Sequence, residues 1–435
     1  MVGAANSSAV GALDDLRILD VSGPIGHYAG RLLADLGADV IKVEPRSGDA
    51  ARSYGPFLPD VDAPEDGLQF LLLNANKRGV TIDVASERGR DLFLRLVASA
   101  DVVIDSWRPQ EAAALRLTHD DLVSAKPDVI HASVTGWGLT GPRAEWAYAD
   151  IVALAMSGVM ALAGLPDGPP ERLPDLQGYH CASIDAAAGV MAALLHRDLS
   201  GEGQLVEVSM QEALSMAQET AMQFADILGS DRVRGSTAAG NAAVVMPGVG
   251  LHEAADGYLY LMAGGNAGSG FGGLLDLIRQ HDGLRDLDEE PYASFIATGM
   301  NRVAIAQAVQ DPEQAKTILP MLAHVDDVVR DFLRGQPKEH VYETGQEMRV
   351  LVGMVSDPRD ISTSKQLAAR DWWIDLDDPG RDATLRYPGP PWQLRGTPAT
   401  LRRPAPLLGE HNDEVFGELG LSAPELASLV AAEAV

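Results

Sequence analysis

Tyr179, His180 and Cys181 are three consecutive titratable side chains in LPDLQGYHCASIDAAAGVMAALLHRDLSGEGQ (Leu173 to Gln204), and Asp175 stands four residues ahead of Tyr179. A phenol, an imidazole, a thiol and a carboxylate together offer an acid, a base and two nucleophiles. They sit where an apolar segment begins, and the start of a helix is well placed for chemistry on an anion. Each also has an ordinary reading. Asp175 beside Pro174 suits a turn or cap, His180 a structural imidazole, and a lone Cys181 among Ala and Ser a small buried hydrophobe. Asp185 falls a turn or more inside the helix.

The elements that must hold these groups are legible nearby. Ile184, Ala188, Met191 and Leu195 recur on one helical face and Gly201 supplies a stop, which predicts a packed helix feeding a strand. Upstream, LRILDV (Leu16 to Val21), ADVIKVE (Ala38 to Glu44), GVTIDV, DVVIDS and DVIHASVTG read as strands. HYAGRLLADLG, ERGRDLFLRLVASA and HDDLVSAK read as helices between them. This alternation predicts an α/β fold with a Rossmann-like parallel sheet. SGPIGHYAG at the first strand-to-helix turn lacks G-x-G-x-x-G, and G-x-x-x-x-G-K-[ST] occurs nowhere, which disfavours the usual nucleotide cofactors. Downstream, LVEVSMQEALSMAQETAMQFADIL (Leu205 to Leu228) reads as a strand running into a long helix. The predicted domains are 1–225 with 345–435 as the large unit and 226–344 as a small α+β middle unit.

Composition excludes several function classes. The chain has 435 residues, with 34 Lys and Arg against 62 Asp and Glu, a formal net charge of −28. That charge repels nucleic acid and anionic membrane surfaces. One cysteine excludes an internal disulfide framework, and no Cys or His cluster suggests a metal, so the expectations are no metal and a reducing, cytoplasmic setting. The first 15 residues lack a positive n-region and a long apolar core, unlike a signal peptide. No apolar run approaches the roughly 20 residues of a membrane helix.

LLADLGADVIKVE (Leu32 to Glu44), NANKRGVTIDV (Asn74 to Val84), ADVVIDSWRP (Ala100 to Pro109), GWGLTGP (Gly136 to Pro142), ALAMSG (Ala153 to Gly158), SGEGQLVEVSM (Ser200 to Met210) and APLLGEHNDEVFGELGL (Ala405 to Leu421) carry a resemblance. Together they resemble family III CoA-transferases, the group of formyl-CoA, carnitine and benzylsuccinate CoA-transferases and the alpha-methylacyl-CoA racemases. The resemblance implies a large Rossmann-like domain built from both chain ends and an interlocked dimer. It implies acyl-CoA and a free carboxylic acid as substrates, with coenzyme A moving between them and no metal or nucleotide cofactor. In such enzymes an Asp carboxylate attacks the thioester and forms a mixed anhydride.

The same resemblance places that Asp at Tyr179, after Gly178. A phenol with a pKa near 10 stays protonated at neutral pH, and its ester is less reactive than an anhydride. Asp175 is the substitute carboxylate in the same loop. Coenzyme A contacts are implied at Arg46, Ile82, Asp83, Val84, Ser106, Trp107, Arg108 and Thr135. Several family cations are missing: Ala85 follows the IDV strand, Ala114 stands where an Arg is common, and Ser106 replaces an Asn. Arg46, Arg108 and Arg116 either compensate or are solvated surface residues. Ala149 replaces the racemase His before Asp150, which disfavours two-base racemisation. GGNAGSGFGG (Gly264 to Gly273) reads either as a mobile loop over the site or as a structural connection.

Two function classes stand. In one, the chain is the Asp-lacking subunit of a heteromeric CoA-transferase for a dicarboxylic or aromatic acid, its partner a homologous Asp-bearing subunit. In the other it acts alone, as a homodimer, as an acyl-CoA lyase, hydratase or isomerase with Tyr179 as acid or oxyanion donor, or it is an inactive binding homologue.

Overall fold

The computed structural model describes residues 11–58, 65, 67–165, 168–218, 220–234, 246–263, 270–299 and 302–435. The front of the chain winds β1 (Arg17–Asp20), α1 (His27–Asp35), β2 (Asp39–Glu44), α2 (Leu68–Asn74), β3 (Arg78–Thr81), α3 (Glu87–Ala98), β4 (Val102–Asp105), α4 (Pro109–Leu115), α5 (His119–Ala125) and β5 (Ile130–Thr135). Next come α6 (Asp150–Met156), α7 (Val159–Leu162), α8 (Gln177–Ser200), β6 (Leu205–Ser209), α9 (Met210–Met216) and α10 (Ala221–Leu228). The expected single long helix after β6 is two helices, α9 ending at Met216 and α10 starting at Ala221.

Six parallel strands form one sheet in the order β3-β2-β1-β4-β5-β6. Connections run outward in both directions from β1 and β4, so a crevice opens between the carboxyl ends of those two strands. Strands β1 to β5 are buried on both faces apart from Arg17 and Asp39 at their starts, as a parallel sheet requires, while the edge strand β6 is partly exposed. Ile18, Val40, Ile104, Ala132 and Val134 pack one face against α1 and α8. Leu19, Ile41, Val80 and Val103 pack the other against Leu92, Phe93 and Leu96 of α3. Local signals agree with this layout: Ser86 accepts from Gly89 N at the start of α3, and Thr118 forms a capping box with Asp121 on α5.

A second compact unit spans residues 236–366, and the first comprises 1–235 with 367–435. It holds β7 (Val249–Ala254), β8 (Gly257–Met262), α11 (Phe271–Gln280), α12 (Tyr292–Gly299), α13 (Arg302–Gln310), α14 (Pro312–Arg334), α15 (Lys338–Glu347), β9 (Val352–Val355) and α16 (Pro358–Ser362). The chain returns later than the expected residue 345 because β9 pairs antiparallel with β8 and completes the small sheet. After α17 (Lys365–Ala369), the hairpin β10 (Trp373–Asp378) and β11 (Ala383–Pro388) leads to α18 (Asn412–Glu418) and α19 (Ala423–Ala431). Val415 and Phe416 of α18 pack into the α3 face of the six-stranded sheet, so both chain ends build the first unit.

Helix α8 corrects one expectation. Its buried side is Ala182, Ser183, Ala186, Ala187, Val190, Ala193 and Leu194. The face of Ile184, Ala188, Met191 and Leu195 points outward, with Leu195 63% exposed. Small side chains let the helix approach the sheet, and a Cβ on Gly189 would lie 2.6 Å from Val206 Cγ1. Alanine carries too little hydropathy to mark a buried face against leucines on the other side, so periodicity selected the wrong stripe. By length and composition α8 also passes the test for a membrane-crossing helix, contrary to the expectation that no run comes close. Its inner face is packed on α1, β5 and β6.

Candidate functional site

Two cavities of the first unit hold the residues singled out in the sequence. The crevice between β1 and β4 encloses about 370 Å³ and is lined by Val21, Ser22, Gly23, the β2 end and the loop to Ala50, Ile82 to Ala85, Ser106 and Trp107. Ser106 Oγ accepts from Gly23 N at 2.8 Å, tying the β4 end to the first strand-to-helix turn. Trp107 stands edge-on to Phe93, ring centroids 6.4 Å apart, and is half-buried in the crevice wall.

Charged side chains sealed beneath this crevice hold its wall. Lys42 Nζ donates to Ser22 O at 2.5 Å and pairs with Asp49 at 3.1 Å. Asp49 also meets His27 Nε2 at 3.0 Å and accepts from Ala51 N, while Arg52 forks onto both Glu44 oxygens at 2.7 and 2.8 Å. Deeper, Lys77 Nζ reaches Asp20 Oδ2 at 2.7 Å, both side chains fully buried. Burial alone would raise the Asp20 carboxyl, but Lys77, Lys42 and His27 hold it down at about 2. Burial lowers Lys77 to about 8 although Asp20 opposes the shift. Asp49 likewise overcomes its burial through Lys42 and His27 and lies below the usual carboxylate range.

The second cavity, about 590 Å³, opens at the start of α8 and is lined by Tyr54, Leu68, Asp150, Arg172, Asp175, Tyr179 and His180, among others. Asp150, the first residue of α6, turns its Oδ1 onto the α8 terminus and accepts from Gly178 N at 2.7 Å and Tyr179 N at 3.2 Å. These are first-turn donors that the helix itself leaves without partners. A Cβ at residue 178 would sit 2.9 Å from that oxygen, so glycine there makes room for the cap.

Burial shifts Tyr179, His180, Cys181 and Asp150 each in the direction of its neutral form. Burial raises the Tyr179 phenol, helped by Tyr54 and Asp150. Burial lowers His180, whose ring stands perpendicular to Tyr28 at 5.1 Å. Cys181 is half-buried against the α1 and α8 core, and burial raises its thiol. Asp150 is raised by burial, with the two backbone donors opposing the shift. The phenol therefore arrives with its proton, as a hydrogen-bond donor rather than a nucleophile.

Tyr179 and Asp175 share this second cavity; Asp175 adopts φ +54° and leaves the capping of α8 to Asp150. Ile82, Asp83, Val84, Ser106 and Trp107 come together at the crevice. Arg46, Arg108 and Thr135 do not line it. The Arg46 side chain is 43% exposed, its Nη1 3.6 Å from Glu433. Arg108 is bound to Glu111 and donates to Glu145 O, closing the start of α4. Thr135 is buried and its Oγ1 accepts from Gly138 N at 3.0 Å. Arg116 ends α4 in a left-handed conformation, and Asp185 faces outward. Residues 264–269 of the glycine-rich stretch lie outside the described residues; Gly270 is the N-cap of α11 and Phe271 to Gly273 form its start.

Asp150, Tyr54 and the Lys42–Asp49 pair escaped sequence reasoning as site residues. Lysine and glutamate in the otherwise apolar VIKVE run (Val40 to Glu44) were a usable signal, because a strand buried on both faces admits charge only in pairs. Among the described residues no cluster of His, Cys, Asp and Glu is arranged to hold a metal.

The family model CoA-transferase family III matches residues 13–412. The chain is 33% identical over 422 residues to the succinyl-CoA:(R)-benzylsuccinate CoA-transferase subunit BbsE of Thauera aromatica, covering 96% of this chain and 97% of that protein. It is 30% identical over 438 residues to formyl-CoA:oxalate CoA-transferase of Streptomyces avermitilis, covering 96% and 98%. A crystal structure of a CAIB/BAIF family protein from Brucella suis superimposes with a TM-score of 0.79 at 26% identity, covering 95% of this chain and all of that one.

Proposed function

Because the chain belongs to CoA-transferase family III, we propose that it is the subunit of a heteromeric CoA-transferase that leaves the nucleophilic carboxylate to a homologous partner. The observation that carries this reading is Tyr179, a proton-retaining phenol at the mouth of α8, where the resemblance places the attacking Asp. Asp150 lies in the same cavity, but its Oδ1 is committed to two backbone donors. Asp175 is an exposed loop residue and no element holds it toward Tyr179. The BbsE relative is named as a subunit, which supports the same division of labour.

In this reading coenzyme A lies in the β1–β4 crevice, with Ile82 to Val84, Ser106 and Trp107 as its walls. The acid, dicarboxylic or aromatic, is exchanged at the partner's carboxylate, and the protein works in the cytoplasm. Ile184, Met191, Leu195 and Leu199 along the outward face of α8 give an apolar surface for the partner, the interlocked dimer being the arrangement the family resemblance implies.

The deciding experiment purifies the chain alone and with a homologous Asp-bearing protein. Transfer of coenzyme A from succinyl-CoA to a free acid appears only in the mixture and disappears when the partner's Asp is changed. A second reading rests on the protonated Tyr179 itself, which suits an acid or oxyanion donor in a lone lyase, hydratase or isomerase. Turnover of an acyl-CoA by the lone chain that vanishes in Tyr179→Phe would establish that reading instead.

A further inference from the structure

A third cavity of about 320 Å³ adjoins the Tyr179 cavity and shares Leu72, Leu73 and His180 with it. Its walls are mostly ring and hydrocarbon: Tyr28 and Leu32 from α1, His180 from α8, Trp372 and Pro388 from the C-terminal segment. The Tyr28 and His180 rings meet edge to face at 90°, an arrangement that holds two sides of the cavity in place. Its volume is within the range of small-molecule sites.

One charged pair, Arg31 and Asp35, breaks the apolar lining. Arg31 Nε donates to Asp35 Oδ1 at 2.7 Å, and Arg31 Nη1 donates to Leu72 O at 2.6 Å. Asp35 Oδ1 also accepts from Asn76 Nδ2 at 2.5 Å. Among the described residues Arg31 Nη2 and Asp35 Oδ2 meet no protein partner, yet neither is sealed from open space. Both side chains are at least nine-tenths buried, and both residues line this cavity.

The cavity thus offers one N–H donor and one carboxylate acceptor side by side, in a pair of no net charge. A carboxylate ligand entering it would gain Arg31 but oppose Asp35. A carboxamide satisfies both, its C=O accepting from Arg31 Nη2 and its N–H donating to Asp35 Oδ2. The rings and aliphatic walls then take an apolar body. We propose that this cavity is a binding site for a neutral carboxamide carrying an aromatic or apolar group. The proposal does not depend on the heteromeric reading.

The test titrates the full-length chain calorimetrically with 3-phenylpropionamide and, in parallel, with 3-phenylpropionate at neutral pH. The amide binds, and the acid binds about tenfold or more weakly, since it leaves Asp35 opposed by charge. Trp372→Ala removes ring contact without touching the ion pair and weakens the amide about tenfold. Asp35→Asn weakens the amide and narrows the gap between the two probes. Absence of amide binding, equal or tighter binding of the acid, or a Trp372→Ala variant that binds like wild type each overturns the proposal. If Asp35→Asn fails to fold, the two-probe comparison on wild type and the Trp372→Ala measurement still decide it.

Discussion

Asp150 Oδ1 accepts the backbone N–H of Tyr179 at 3.2 Å and that of Gly178 at 2.7 Å, so a carboxylate from α6 fixes where α8 begins and where the phenol stands. The contact joins two segments 29 residues apart in sequence. It also occupies an oxygen of the one buried carboxylate that lines the cavity with Tyr179.

Removing that cap is therefore costly. Asp150→Ala leaves two first-turn donors without an acceptor and destabilises the protein by about 1–2 kcal/mol, read as a lower urea midpoint at unchanged slope. Asp150→Asn keeps an acceptor oxygen and loses less than half as much. Equal losses for the two variants would show that the charge rather than the hydrogen bonds matters.

Gly178→Ala tests the close approach behind the cap. The added Cβ would meet Asp150 Oδ1 at 2.9 Å and Leu214 Cδ1 and Met210 Sδ at 3.1 Å. Overpacking of this kind costs about 1–3 kcal/mol, despite the better helix propensity of alanine. Thermal denaturation of the variant checks it, and a raised Tm contradicts the geometry.

The crevice makes opposite forecasts for two adjacent residues. Trp107→Ala weakens coenzyme A binding by roughly tenfold, the loss of one ring contact worth about 1–3 kcal/mol. Arg108→Ala changes the dissociation constant less than about twofold, because Arg108 serves Glu111 and Glu145 O instead. Isothermal titration of both variants separates this arrangement from one in which Arg108 meets the ligand.

The buried Asp20–Lys77 pair gives a pH forecast. The folded Asp20 carboxyl is lowered from 3.8 to about 2, so its contribution to stability is fully present above pH 4 and is lost as pH falls through 2. Asp20→Asn strands the Lys77 ammonium and costs about 3–5 kcal/mol at neutral pH. The stability gap between wild type and variant does not shrink from pH 7 down to about 4, because without Asp20 the buried Lys77 ammonium titrates lower still, and it narrows below about 4, as acid titration of the unfolding midpoint would record. A gap that narrows already between pH 7 and 5 contradicts the assignment.

Tyr179 supplies a spectroscopic forecast. Its phenol is raised above the ordinary value of 10.0 by burial. The ultraviolet difference between wild type and Tyr179→Phe shows less than half of one tyrosinate at pH 10. A full tyrosinate signal there would make Tyr179 an accessible nucleophile and remove the physical basis for assigning it a donor role.

The strands and helices of the first unit were legible because parallel β/α units write their apolar runs locally: LRILDV and DVVIDS stand where they were read, and the helices read after them start at the Ser86 and Thr118 caps that the structure shows. The orientation of α8 was not legible. Its inner face is chosen by how closely Ala182, Ala186 and Gly189 let it approach the sheet, and closeness is a property of the partner surface. The residues expected to meet coenzyme A divide in the same way by where they lie, not by any shown contact with it. Ile82 to Val84, Ser106 and Trp107 follow directly from strand ends, whereas Arg46, Arg108 and Thr135 depend on which neighbour each side chain finds.

By itself the sequence determined the α/β class, the parallel sheet, the position of Tyr179 at the start of α8 and the family, because these depend on local periodicity, turn chemistry and residue identity. Only the tertiary structure decided that Asp150 caps α8 and that Lys42, Asp49 and His27 brace the crevice. It alone paired Arg31 with Asp35 in the wall of a ring-lined cavity. Those outcomes are set by hydrogen-bond and Coulomb terms effective within a few ångströms, between groups that only folding brings together.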